Sequence, residues 1–225
     1  MNEDKQQLAA RTVAALKKIY PDAMCSLTYT TPIQLLIAVR LSAQCTDARV
    51  NKVTPVLFAK YPTLDNLCHA SVEEIGEIIQ SCGLFNTKAR DIKQLSLMLR
   101  DQYNGIVPDS MQELLKLPGV GRKTANLILG DVYGQPAIVA DTHCIRISGR
   151  IGLTDGAKDP NKVEKQLRAC VEPSEGNNLC HRFVLFGRDT CTARSPKCGG
   201  CPLGGFCQYG QEALSAANAA QDKRE

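Results

Sequence analysis

The chain has 225 residues, 44% of them hydrophobic, with 27 Lys and Arg against 23 Asp and Glu, a formal charge of +4. That length gives one large domain or two small ones, the hydrophobic content excludes a disordered chain, and so mild a charge permits a polyanionic partner without requiring one. The first ten residues are polar, and the longest aliphatic run, 35–39, is far short of the ~20 residues of a membrane span. The expectation is a soluble intracellular protein with no membrane partner.

Helical spacing dominates from the start. Leu8, Thr12, Leu16, Ile19 and Tyr20 fall on one face, and Ile92, Leu95, Leu99 and Tyr103 repeat the pattern further on. Between them, Thr31-Pro32 reads as a helix N-cap followed by proline in the first turn, and Asp159-Pro160 does the same later. Pro55 lies inside an otherwise helical stretch and predicts a kink or restart. Ser71 with Glu74, and Ser110 with Glu113, have capping-box spacing. Roughly ten short helices are expected and no alternating strand run, so the fold class is all-α. The polar, Ala-rich segment after Cys207 reads as a frayed tail.

At 117–121, Leu-Pro-Gly-Val-Gly joins two helical stretches, with Pro118 expected to stop the first. Gly119 and Gly121 allow a tight turn, and the helix that follows presents free N–H groups and its positive dipole end, which suits a phosphate oxygen. An ordinary helical hairpin would look the same. Lys123 is the unusual residue. It stands in the first turn of that helix, at the edge of an apolar arc of Val120, Thr124, Leu127 and Ile128, beside Arg122. Burial, the helix dipole and a like charge would each disfavour its ammonium, and a neutral amine is a nucleophile. Asp141 follows the short apolar stretch 137–140 and precedes Thr-His-Cys-Ile-Arg, so the simplest reading is an N-cap.

There are 11 cysteines and no export signal, which favours free thiols or metal ligation over disulfides. Cys25, Cys45, Cys68, Cys82, Cys144, Cys170 and Cys180 are dispersed and read as buried small hydrophobes. Cys191, Cys198, Cys201 and Cys207 instead supply four sulfurs from one glycine-rich loop. A zinc site is one reading, although such sites usually use two C-x2-C pairs and only one is present.

Leu117-Pro-Gly-Val-Gly-Arg-Lys123-Thr-Ala, together with Val139-Ala-Asp141-Thr-His143, resembles the helix-hairpin-helix DNA glycosylase superfamily, and within it the iron–sulfur endonuclease III family. The likeness runs from about residue 25 to Cys207. It implies two α-helical domains with a DNA site in the cleft between them: 25–135, a six-helix barrel carrying the hairpin at about 113–131, and 1–24 plus 136–210, an iron–sulfur domain, with 211–225 as a polar tail. It implies Lys123 as catalytic lysine and Asp141 as catalytic aspartate of a bifunctional glycosylase and AP lyase acting on oxidised pyrimidines in duplex DNA. The bulkier apolar residue expected before that aspartate is Ala140 here.

The cysteine spacing matches the family's [4Fe–4S] loop, so one cluster is expected as cofactor. Four thiolates around it carry about −2, which leaves the holoprotein near +2 and assigns DNA affinity to local basic patches. Carried over from family segments that contact DNA, Gln44 fills the space of an extruded nucleotide and Leu84 wedges into the opposite strand. Lys88, Gly119, Gly121, Arg122, His143, Arg194 and Lys197 are the further DNA-contact candidates, with His143 expected to pack or touch phosphate. Asp47, one turn beyond Gln44, shapes the pocket or caps a helix.

Two rivals remain in view. The monofunctional adenine-removing branch shares fold and cluster but uses an early glutamate, and 31–46 contains no Asp or Glu. A non-catalytic iron–sulfur DNA-binding or redox module would not need both Lys123 and Asp141. The partner implied is double-stranded DNA with a damaged base or abasic site, met by a monomer in a bacterial-type cytoplasm, at the nucleoid when bound.

Overall fold

A computed structural model describes residues 2–221. Among them are twelve α-helices: α1 (Asn2–Ile19), α2 (Pro32–Ser42), α3 (Asp47–Lys60), α4 (Leu64–His69), α5 (Val72–Ile79), α6 (Phe85–Tyr103), α7 (Met111–Leu114), α8 (Arg122–Asp131), α9 (Thr142–Ile151), α10 (Pro160–Arg168), α11 (Gly176–Asp189) and α12 (Gln208–Gln221). No strand occurs among the described residues, and no described helix is long and apolar enough to cross a membrane. The chain divides into two compact units. One is Cys25–Gly134; the other joins Met1–Met24 to Gln135–Glu225.

In the unit Cys25–Gly134, α2 is apolar apart from Gln34, Arg40 and Ser42, as suits a helix surrounded by others. Leu35, Leu36, Ile37 and Ala38 are fully buried, and α2 packs on α3, α6 and α8. Thr31 caps it by accepting from the Gln34 N–H at 3.2 Å, with Pro32 in the first turn. Ser71 and Glu74 close a reciprocal capping box on α5. At α7 only half the expected box forms. Ser110 accepts from the Glu113 N–H, but the Glu113 carboxylate turns to the Tyr103 hydroxyl at 2.8 Å and to Lys116. Pro55 does not restart its helix. α3 runs through it, held on both sides by buried Val53 and Leu57.

In the other unit, α1 packs on α11, and α9 packs on α11 and α12 around Leu16, Ile147, Phe183 and Phe186. Thr12 is fully buried because its hydroxyl donates back to the Leu8 carbonyl at 2.8 Å. Ile19, read as part of the same stripe, is 44% exposed, so the stripe ends at Leu16. Asp159 caps α10 by accepting from the Lys162 N–H at 2.7 Å. The segment expected as a frayed tail is helical to Gln221, which its Ala, Gln and Glu content favours; the expectation for 222–225 lies outside the described residues. Of the dispersed cysteines, Cys25 and Cys45 are half-buried rather than buried.

Candidate functional site

The hairpin is built from α7, a turn and α8. α7 ends at Leu114, before Pro118, so the proline does not stop the helix; it starts the turn. The Val120 N–H donates to the Leu117 carbonyl at 3.1 Å, with Pro118 and Gly119 (φ +73°) between them. That is a type II turn, in which proline presets the first central residue and glycine accepts the positive φ of the second. Gly119 is required a second time by its surroundings. A Cβ there would lie 2.5 Å from Arg40 Nε and 2.9 Å from Asp91 Oδ2, which pair with each other beneath the turn. Gly121 is the N-cap of α8 and offers the first turn no side-chain acceptor. Gly119, Gly121, Arg122 and Lys123 are all exposed. Val120, Leu127 and Ile128 of the arc beside it are buried, whereas Lys123 itself is exposed. Its amine is open to solvent at the second position of α8.

In the other unit, Asp141 is the N-cap of α9 and also carries a second contact. Its Oδ1 accepts from the Cys144 N–H at 2.7 Å, and its Oδ2 lies 3.2 Å from His143 Nδ1. The carboxylate is fixed through both oxygens yet keeps 16% of its side-chain surface open. His143 packs against Gly187 of α11, where an added Cβ would come within 2.5 Å of the ring. The ring is thus clamped between a helix and the aspartate it orients.

Gln44 and Leu84 are both exposed, Leu84 at 58%. They share a rarer property: positive φ, 55° and 49°. Leu84 caps α6 with a left-handed backbone and no side-chain bond. Asp47 is not a cap, because Thr46 holds that position on α3. Lys88 corrects an expectation. It has no exposed surface, and its Nζ donates to the carbonyls of Leu41 and Cys82, both at 2.8 Å. A side chain so enclosed cannot reach DNA.

Cys191, Cys198, Cys201 and Cys207 line one cavity with Ile151, Phe186 and Leu203. Among the described residues no three His, Cys, Asp or Glu side chains converge on a point as a single ion would need; the thiols stand around a common space. Burial pushes the Cys201 and Cys207 thiols up, and the facing cysteines push them further. Four mutually repelling sulfurs around an apolar cavity fit a cationic, sulfur-ligated group that draws off their protons. Arg194 and Lys197 stand exposed on the same loop.

The HhH-GPD superfamily of base excision DNA repair proteins matches residues 37–173, and the iron–sulfur binding domain of endonuclease III matches 191–207. Endonuclease III of Synechocystis sp. is 45% identical over 92% of this chain and 94% of its own length, and that of Bacillus subtilis 44% identical over 86% and 89%. The chain belongs to the endonuclease III family. A solved endonuclease III–DNA covalent intermediate, trapped as an estranged-adenine complex, superposes with a TM-score of 0.87 at 45% identity, over 93% of this chain and 98% of that one. A non-covalent endonuclease III–DNA complex gives the same values. This endonuclease III family member is a base-excision-repair DNA glycosylase and AP lyase, with an iron–sulfur binding domain at its cysteine loop.

The groups that hold the site in shape leave no signal in the sequence. Arg150 donates to Cys191 Sγ at 3.3 Å, to the Thr192 carbonyl at 2.7 Å and to the Ala193 carbonyl at 2.9 Å. Arg146, one turn earlier on α9, donates to the Cys191 carbonyl at 3.1 Å. Their i, i+4 spacing puts both on one face of α9, but nothing local says that the face meets a loop over forty residues away. The Arg40–Asp91 pair under Gly119 was equally invisible.

Proposed function

We propose that the substrate is an oxidised pyrimidine in duplex DNA and that Lys123 is the nucleophile. Its neutral amine attacks C1′ of the damaged nucleotide and the base departs. The amine and the opened deoxyribose form a Schiff base, and β-elimination from it cuts the strand 3′ to the lesion. Positive charge builds on the sugar as the glycosidic bond breaks, and the Asp141 carboxylate, immobilised by the Cys144 N–H and by His143, stabilises it.

An extruded nucleotide leaves a gap that costs a few kcal/mol in lost stacking and pairing. Gln44 fills the gap and Leu84 wedges into the opposite strand. An exposed leucine in a strained backbone is hard to explain as a packing residue, which supports that role. Gly119, Gly121, Arg122 and the first turn of α8 take a phosphate. Cys191, Cys198, Cys201 and Cys207 hold one [4Fe–4S] cluster, which presents Arg194 and Lys197 to the DNA backbone. We take the protein to act as a cytoplasmic monomer.

The observation that carries the reading is an exposed lysine in the first turn behind the Gly119–Gly121 turn, in a chain 45% identical to a protein trapped in covalent union with DNA. Borohydride trapping on duplex DNA with one oxidised pyrimidine tests it. The wild type should yield an adduct that Lys123→Ala abolishes. Base release without an adduct would replace the lysine with a water nucleophile.

A further inference from the structure

Three non-glycine residues have positive φ among the described residues: Gln44, Leu84 and Asn104. Asn104 is unremarkable, since asparagine tolerates this region and it ends α6 there. Glutamine and leucine do not tolerate it well, and such conformations persist only where neighbouring structure enforces them. One buried side chain is bonded close to both residues. Lys88, on the second turn of α6, makes three bonds. Its backbone N–H donates to the Leu84 carbonyl at 3.0 Å, and its ammonium donates to the carbonyls of Cys82 and Leu41 at 2.8 Å each. Cys82 lies two residues before Leu84, and Leu41 three residues before Gln44.

The arrangement is costly for the fold alone. The ammonium is fully enclosed and burial lowers its pKa, a cost offset in part by the two carbonyls to which it donates, one in the last turn of α2 and one at Cys82. An apolar side chain of the same length would desolvate no charge, but it would leave the Leu41 and Cys82 carbonyls without this donor. The ammonium provides what an apolar side chain cannot, a fixed point bonded at once to two segments distant in sequence. A group that breaks local rules in this way marks function.

We propose that Lys88 is a positioning residue that locks the Gln44 and Leu84 loops in one register, so that both side chains meet the duplex as a single preorganised unit. This rests on the reading in which those two side chains enter the DNA. Without the lock, each loop would have to be ordered separately during extrusion, and a small misplacement of either is expensive.

The test is Lys88→Met, compared with Gln44→Ala/Leu84→Ala and with the triple variant, in cluster-loaded full-length protein. Two single-turnover rates are measured: base release from duplex DNA with one oxidised pyrimidine, and borohydride trapping on a single-stranded abasic oligonucleotide, which needs no extrusion. Lys88→Met should lower the duplex rate relative to the single-strand rate by about 100-fold, the scale of a 1 Å misplacement. In the Gln44→Ala/Leu84→Ala background it should lower the ratio no further. An equal fall in both rates, or a full additional fall in the triple variant, would overturn the inference and leave the two loop residues their role. No effect of Gln44→Ala/Leu84→Ala on duplex base release would overturn the loop reading and Lys88 with it. Should Lys88→Met fail to fold, Lys88→Gln retains a donor for one carbonyl, and an intermediate ratio is expected from it; an unchanged ratio refutes the lock.

Discussion

Replacing Leu84 with glycine should leave stability nearly untouched while disabling base extrusion. Glycine removes the penalty of holding a leucine in the left-handed region, about 1–2 kcal/mol, and adds about 0.5–1 kcal/mol of chain entropy on unfolding. Full burial of a leucine contributes about 1.5–3 kcal/mol, and with 58% of the residue exposed about 1 kcal/mol is at stake. These terms cancel to within about 1 kcal/mol, against about 2–5 kcal/mol for truncating a buried leucine. Urea unfolding midpoints of Leu84→Gly and wild type measure the first part, and single-turnover base release from damaged duplex measures the second. The release rate should fall by at least about tenfold, because a few kcal/mol of unstacking loses its compensation. A stability loss above about 2 kcal/mol would mean that Leu84 is a packing residue. Unchanged base release would mean that it is no wedge.

Four further outcomes are expected. Gly119→Ala combines left-handed strain of about 1–2 kcal/mol with displacement of the Arg40–Asp91 pair, so unfolding should show a loss of about 2–4 kcal/mol; less than 1 would deny the close approach. Asp141→Asn keeps a good N-cap, so melting should barely move while base release drops by about 100-fold; the reverse pattern would make Asp141 only a cap. Glu175 is held below its ordinary 4.5 first by Arg182 and then by Lys17. The native carboxylate therefore stays ionised where the unfolded one takes up a proton, and stability is lost as the pH falls below 4.5 and through the lower folded value. Glu175→Gln should make that acid limb shallower in urea titrations, and an identical slope would contradict the pairing. Removing both charges at Arg194 and Lys197 should cut the salt slope of duplex binding by about 2, equally for damaged and undamaged DNA, with iron content unchanged.

How much of this was readable in advance follows the reach of each signal. Caps at Thr31, Ser71 and Asp159 depend on residues within one turn, and they form as their spacing predicts. The Ser110 box fails halfway because Tyr103, a tertiary neighbour, competes for Glu113. The Asp141 cap was local and legible, whereas the second bond to His143 and the space left by Gly187 were not. Lys88 shows the limit most clearly. A lysine in a segment that resembles a DNA-contacting one reads as a surface cation, and only the folded chain reveals that its ammonium is bonded to two buried backbone carbonyls. Positive φ at Gln44 and Leu84 left no trace in composition, since neither residue type favours it.

The division of the chain sets a timetable for synthesis. Cys25–Gly134 is contiguous and emerges ready to fold, whereas α1 belongs with helices from the far end of the same polypeptide. At about 5–20 residues per second, some 10 to 30 s separate the appearance of α1 from that of α11, on which α1 packs. Over that interval α1 lacks α11, on which it packs, and the cysteine loop has not yet left the ribosome. Cluster insertion is therefore ordered after the hairpin-bearing unit by the arithmetic of translation alone.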